Sequence, residues 1–550
     1  MKENKKRILI LGAGLMQGPA IRAAKELGCE VIAVDGNPNA VCAKEADKFF
    51  PIDLKDIPAL IDLAKSLKEN GLHGVFTAAT DFSVSVAAVA ESCSLPGHSL
   101  EAARRASDKV LMRECFEKHG VPSPKFTHIF KNEIDNALQI LKQKAIPFPL
   151  TVKPADNMGA RGCRLVYSQD ELRPALEDAV NFSRSGKAIA EEFIDGEEFS
   201  LEALVINGEI FLNALADRHI FFPPYFVEMG HTIPSIKSKE ECDELIRVFF
   251  LGIKALGLTN GAAKGDIFLR KADPKKNGKR TACVGEIAAR LSGGYMSGWT
   301  VPYSSGFDVT KAAVKIALGE PVDELPNSEA ARFSAERAWI SVPGIIKKIY
   351  GLEEARHTKN VKDVLPRLFE KDETVFPKNN VEKCGNVLSS AESYDEAVKA
   401  SMEAVQKIFL RLERANNKTN LFFEKTNPSI TVQGNYPPNF FKFPEDDSTK
   451  EIKNKIFDEL LKNSILAEED EILYPSFFKD FLDKAFDVHG LSIRKAIKQA
   501  FFLEPKLKEK MLSLQTIEKP LNPSLVLWWK YFIRGSRQGL IYYLDTELNG

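Results

Sequence analysis

Short apolar runs alternate with helical spacing over the first hundred residues. Arg7–Leu11, Glu30–Val34 and Gly74–Ala78 read as strands, and Pro19–Leu27 reads as a helix ending near Gly28. Alternation of this kind predicts a parallel sheet with helices on its faces. From Gly97 to Gly120 the spacing is helical, until Val121-Pro122-Ser123-Pro124 breaks it, because proline cannot continue a helix. Residues 148–295 are strand-rich: PLTVKPA, CRLVYS, AIAEEFI, FSLEALVI, KGDIFLR and CVGEIAARL. Lys271–Arg280 reads as the solvated basic tip of a hairpin. Residues 307–318 and 391–412 have the spacing of amphipathic helices. From about 416 a polar, proline-bearing stretch leads into a mostly helical tail, which holds 13 of the 36 phenylalanines. No internal repeat is visible.

The 550 residues predict several domains. Lys plus Arg (75) and Asp plus Glu (76) cancel, which excludes a nucleic-acid binder driven by bulk charge. The eight cysteines are scattered with no CxxC pair, so neither a zinc knuckle nor a disulfide framework is expected, and a reducing, cytoplasmic compartment fits. No apolar run approaches the ~18 residues of a membrane span. The basic and then apolar start imitates a signal peptide but runs straight into Gln17-Gly18-Pro19, so a first strand explains it better.

Four motifs carry candidate chemistry. Gly12, Gly14 and Gly18 form a glycine turn between strand and helix, with Asp35 ending the next strand. The spacing is GxGxxxG, one residue longer than the dinucleotide fingerprint, so a plain turn, a nicotinamide site or another anion site all remain open. There is no GxxxxGK[ST], which excludes a P-loop. Lys109 lies on or beside a helix. Lys153 ends a strand before DNMGARG, where Gly159 and Gly162 let backbone N–H groups close over phosphate. In EEFIDGEEFS, one carbonyl and one N–H at Glu192 and Ile194 match the two edges of adenine, and Glu198 can accept ribose hydroxyls. Asp266 and Glu286 each sit in a short apolar strand. If those strands are neighbours, both carboxylates face one side, and a hard cation such as Mg²⁺ offsets their burial. Arg290, four residues beyond, can grip a carboxylate or acyl phosphate, or form a structural ion pair with Glu286.

Together these residues resemble the ATP-grasp ligases. The motifs are SDKVLMRECFEKHGVPSP, PLTVKPADNMGARGCRLV, AIAEEFIDGEEFS, GDIFL and GEIAARLSGG, followed by VPGIIKKIYGLEEA and CGNVLSSAESYDEAVKASMEAV. The resemblance runs from Lys6 to about Leu412 and is strongest to the branch of carbamoyl phosphate synthetase, biotin carboxylase, the phosphoribosylglycinamide ligases and the L-amino-acid ligases. It implies an α/β, Rossmann-like parallel-sheet domain (1–105), then α+β ATP-grasp subdomains (106–190 and 191–415). A mainly α-helical C-terminal domain (416–550) lies outside the resemblance. It further implies ATP and Mg²⁺, or Mn²⁺, as cofactors. Lys109 and Lys153 would contact phosphates, with Gly159 and Gly162 in a mobile lid. Glu192 and Ile194 would bind adenine, Glu198 ribose, Asp266 and Glu286 the metal, and Arg290 the acyl phosphate. Relatives usually carry Asn two residues after the metal-binding glutamate. Here that position is Ala288, which supplies no oxygen, so weakened binding of a second Mg²⁺ is expected.

The implied reaction is a carboxylate–amine ligation through an acyl phosphate, with Lys153 and Arg290 stabilising charge on the transferring group. The partners are then small-molecule carboxylates and amines, without nucleic acid or membrane, and a homo-oligomer is compatible with the pattern. The alternatives are an inactive ATP-binding or sensing protein, and a nicotinamide-dependent oxidoreductase. Gly12–Gly18, Asp35 and Asp81 are candidates for the non-ATP substrate. Trp528, Trp529, Tyr531, Phe532 and Ile533 lack the basic face of an interfacial helix and are expected in the core of the tail.

Overall fold

The computed structural model describes residues 5–69, 71–272, 278–323, 325, 331–424, 436–442, 466–469, 472–475, 481–515 and 523–548. The expected basic tip is therefore only partly described, since 273–277 fall outside these ranges. The chain divides into two compact units. The first comprises 1–220, 230–336 and 389–398; the second comprises 221–229, 337–388 and 399–550.

The first unit opens with strands β1 (Arg7–Leu11), β2 (Glu30–Val34), β3 (Lys48–Phe50) and β4 (Leu72–Phe76). They form a parallel sheet ordered β3-β2-β1-β4. The apolar stretch after the basic N-terminal residues is thus an inner strand, with Ile8–Leu11 fully buried. Helices α1 (Gly18–Glu26), α2 (Ile57–Lys68) and α3 (Ser83–Ser92) complete the expected alternation. Helices α4 (Leu100–Ser107) and α5 (Lys109–Lys118) fill the region of helical spacing.

Two antiparallel sheets follow. Strands β5 (Phe126–Phe130), β6 (Leu150–Pro154), β7 (Arg164–Val166) and β8 (Lys187–Glu192) pair in the order β5-β8-β6-β7. Helices α6 (Ala137–Gln143) and α7 (Gln169–Phe182) share a core with this sheet. The other sheet contains β9 (Gly196–Ile206), β10 (Glu209–Phe221), β11 (Val227–Ile233), β12 (Gly261–Arg270) and β13 (Ala282–Ala288), in the order β13-β12-β9-β10-β11. Helix α8 (Lys239–Leu256) begins at Ser238, in a reciprocal capping box with Glu241, and ends at Gly257 in the left-handed conformation. Along β12 burial alternates. Ala263, Gly265, Ile267 and Leu269 enter the core beneath α8, while Lys264 and Asp266 face the other way. Gly265 is required here, because a Cβ would come within 2.6 Å of the Phe249 ring of α8.

In the second unit, Glu373–Thr374, Gly344–Tyr350 and Phe409–Leu412 form an antiparallel sheet. The expected single helix over 391–412 is interrupted: the helix is Tyr394–Lys407, and Phe409–Leu412 is a strand. The β-prone FLRL finds a partner edge in Gly344–Tyr350, which helical spacing alone does not reveal. Tail helices Ile493–Leu503, Pro505–Gln515 and Pro523–Tyr543 belong to this unit. Trp528, Trp529, Tyr531, Phe532 and Ile533 are buried, as expected of core rather than surface aromatics, but in a core shared with Trp339, Ile346, Phe376 and Leu410 and not in one of the tail's own. Among the described residues no helix is long and apolar enough to cross a membrane. All eight cysteines are free.

Candidate functional site

Helix α5 supplies two basic groups from one face. Its start is fixed by Asp108, whose carboxylate accepts from the Val110 and Leu111 N–H groups (2.8 and 3.2 Å). Lys109, the first helical residue, is buried. Its Nζ donates to the Asn157 carbonyl (2.7 Å) at the start of the DNMGARG loop and lies 3.5 Å from Glu286 Oε1. One turn later Arg113, fully buried, pairs through Nε with Glu191 Oε1 (2.8 Å) and donates to the Gly285 carbonyl (2.5 Å).

The β6–β8 register sets Lys153 opposite Ile189 and Thr151 opposite Glu191. Lys153 is therefore diagonal to Glu191 on one face of the sheet, and its Nζ meets Glu191 Oε2 at 2.6 Å. Burial alone would raise the Glu191 carboxyl, but Arg113 and Lys153 outweigh it and hold Glu191 below the usual carboxylate range. Strands β6 and β7 flank the loop that holds Gly159 and Gly162, at φ of 70° and 68°. Gly162 has a packing reason as well, since a Cβ there would lie 2.9 Å from the Phe182 ring. Beside Gly162, burial pushes the Cys163 thiol up to about 12, which leaves it protonated and inert.

Strands β12 and β13 are antiparallel neighbours, and Asp266 stands directly opposite Glu286. The condition for the two carboxylates to share a face is met. Burial opposes ionisation of Glu286, yet Lys109, Lys153, Lys264 and Arg290 together pull it down to about 2. The same pairing raises Lys109 against its own burial, with Asp81 adding to the effect. Asp266 contacts Lys264 Nζ and lies 2.6 Å from an Arg218 nitrogen; Arg218 also contacts Glu198. Arg290 makes no ion pair among the described residues, so the structural Glu286–Arg290 pair is not formed. It donates to the Leu291 carbonyl (3.0 Å), and its buried Nε has no hydrogen-bond partner among the described residues.

At the hinge, the Glu192 N–H is taken by the Lys125 carbonyl (2.9 Å) and its side chain by Arg270 (3.0 Å). A contribution of Glu192 to adenine would thus come from its carbonyl. Ile194 is buried two residues on. The residues implied for ATP thus gather where α5, the β5–β8 sheet and the β9–β13 sheet meet. In the parallel-sheet domain, Asp35 is occupied locally, accepting from the Ala13 and Asn37 N–H groups (both 2.9 Å). Gln17 of the glycine turn donates to the Ala78 carbonyl (2.5 Å), and Ala78 bridges to Leu291, next to Arg290. The turn and the loop after β4 therefore converge on the segment carrying Arg290.

Sequence reasoning passed over Glu191, Arg113, Arg218 and Lys264. Glu191 adjoins Glu192, Arg113 lies one helical turn from Lys109, and Lys264 is two strand residues before Asp266, so periodicity marked these three. Nothing local marks Arg218.

The whole constellation matches a family description. Residues 106–291 match the ATP-grasp domain, 21–97 the ATP-grasp N-terminal domain, and 338–413 the L-amino acid ligase C-terminal domain 2. The chain carries an ATP-grasp domain. This ATP-grasp chain is 27% identical over 371 residues to the C-terminal section of the carbamoyl phosphate synthase large chain of Methanocaldococcus jannaschii. That match covers 62% of this chain and 55% of the relative, so the chain spans about half the length of that curated relative. Among solved structures, phosphoribosylglycinamide synthetase from Anaerococcus prevotii is 25% identical, with a TM-score of 0.57 over 74% of this chain and 100% of that one. L-amino acid ligase from Bacillus licheniformis gives a TM-score of 0.64 at 22% identity, over 75% and 100% respectively, and supports the ATP-grasp fold.

Proposed function

We propose that this ATP-grasp chain is an ATP-dependent carboxylate–amine ligase. The reading rests above all on the placement of Lys109 and Lys153 beside the cross-strand carboxylates Asp266 and Glu286. The two lysines neutralise phosphate oxygens, and the Gly159–Gly162 loop closes over them and keeps water out. The carbonyl of Glu192 and the N–H of Ile194 hold the adenine edge, and Glu198 the ribose. Glu286, with Asp266 opposite it, would hold a divalent cation, Mg²⁺ or Mn²⁺, which would supply positive charge against the phosphate oxygens. The donor set fits it, because Glu286 is ionised and its nearest cation is 3.5 Å away, beyond hydrogen-bond reach.

In this reading an oxygen of the substrate carboxylate attacks the γ-phosphorus, and the bond to the ADP oxygen breaks. An amine then attacks the acyl carbon, phosphate leaves, and the amine loses a proton. Positioning and fixed charge do the catalysis, so no side chain forms a covalent intermediate. Arg290, with its unpartnered buried Nε, holds the carboxylate and later the acyl phosphate. The segments around Gln17, Ala78 and Asp81 flank the acid or amine site. Release of ADP and phosphate in the presence of pooled acids and amines tests the reaction. Turnover with no acid–amine pair would overturn it.

One observation favours a second reading. Ala288 removes an oxygen ligand beside Glu286, as in a protein that binds nucleotide without turning it over. Tight ATP binding with no ADP formed from any acid–amine pool would select it.

A further inference from the structure

The cross-strand register that pairs Asp266 with Glu286 also pairs Lys264 with Ala288. Strand alternation puts Lys264 on the same face as Asp266, and its ammonium contacts Asp266 Oδ1. On the β13 side the residue opposite is the small Ala288, which leaves room for the long lysine stem; on the β9 side it is Glu202, whose carboxylate is held by Asn213, Ser292 and Ser297. The same Asp266 oxygen has a second cation, Arg218, at 2.6 Å. The two carboxylates therefore differ. Asp266 is held by two fixed cations at contact distance, whereas the nearest cation to Glu286 stands at 3.5 Å.

We propose that Lys264 is a built-in substitute for a metal ion. Its ammonium supplies the positive charge at Asp266 that a second divalent cation would bring, and the nucleotide-loaded site holds a single divalent cation, ligated by Glu286. The inference rests on the ATP reading above. Its physical basis is charge balance. Lys109, Arg218 and Lys264 face Glu198, Asp266 and Glu286 one for one, and Lys153 and Arg290 add positive charge toward Glu286, so these carboxylates are already answered before any metal arrives. One divalent cation then answers the phosphates. A second, placed at Asp266, would displace an ammonium and a guanidinium or sit against them at close range, where like charges repel strongly. Ala288 offers it no oxygen in return.

The test is the number of Mn²⁺ ions bound by the full-length chain in the presence of a non-hydrolysable ATP analogue, read from the loss of the free Mn²⁺ electron paramagnetic resonance signal. Nucleotide binding is measured separately by calorimetry. The expected result is one Mn²⁺ per bound nucleotide in the wild type and in Lys264→Arg. In Lys264→Met the expected number is two, the second bound at least about tenfold more tightly than in the wild type. Ala288→Asn alone should remain at one. Two Mn²⁺ of similar affinity in the wild type, a single ion in Lys264→Met, or two in Ala288→Asn would each overturn the proposal while leaving the ATP reading intact. Absence of nucleotide binding to the wild type would overturn both. If Lys264→Met fails to fold by circular dichroism, the wild-type and Ala288→Asn counts still decide.

Discussion

Lys109 Nζ lies 3.5 Å from Glu286 Oε1, so the first residue of a helix and the seam of two strands meet at one point. The carboxyl of Glu286, pulled down to about 2, is ionised at any working pH. Glu286→Gln removes that charge at nearly constant shape. ADP release should fall by at least about 100-fold. Near-normal turnover would sink the assignment of Glu286 to the metal.

Arg113 and Glu191, both buried, and the half-buried Lys153 form an ionic triad beside the proposed phosphate site. Removing one member of a buried pair leaves an uncompensated charge. Arg113→Met should therefore lower unfolding stability by about 3–5 kcal/mol in chemical denaturation. A loss below about 1 kcal/mol would mean that Glu191 is satisfied without it.

His489, in the second unit, is buried, and its Nε2 accepts the Ile340 N–H at 3.1 Å, so the fold needs the neutral ring. Burial lowers its pKa from 6.5 to about 4. The unfolded chain takes up a proton below 6.5 that the folded chain refuses until about 4. Stability should thus drop as pH falls across that window, by roughly 2–3 kcal/mol from this group, and be indifferent to it above. Denaturation of wild type and His489→Gln at pH 7.5 and pH 4 checks this. An unchanged pH slope in the variant would reject it.

Removing 416–550 would strip Trp528, Trp529, Phe532 and Tyr542 from a core that also contains Trp339, Ile346 and Phe376. The truncated chain should aggregate or bind a hydrophobic dye strongly, because a large apolar face is left bare. Soluble, monodisperse protein by size-exclusion chromatography would show that the tail is separable.

Much of the site was legible before any tertiary structure. Lys109, Lys153, Asp266, Glu286 and Arg290 stand in short motifs whose local periodicity already fixes helix start, strand end or strand face. The parallel sheet was legible for the same reason, since β1, β2 and β4 are apolar runs separated by helical spacing. Phe409–Leu412 was not, because whether FLRL continues a helix or pairs as a strand depends on an edge some sixty residues earlier in the chain.

What the chain's own order determined is therefore the set of chemical groups and the faces on which they lie, because alternation and helical spacing are local properties. Which groups meet was decided by tertiary structure alone. Glu191 belongs to Arg113 and Lys153, Asp266 to Lys264 and Arg218, and Arg290 forms an ion pair with no carboxylate among the described residues. These partnerships depend on register and on the seat of α5 between two sheets. Electrostatic energy falls off with distance in space and takes no account of separation along the chain.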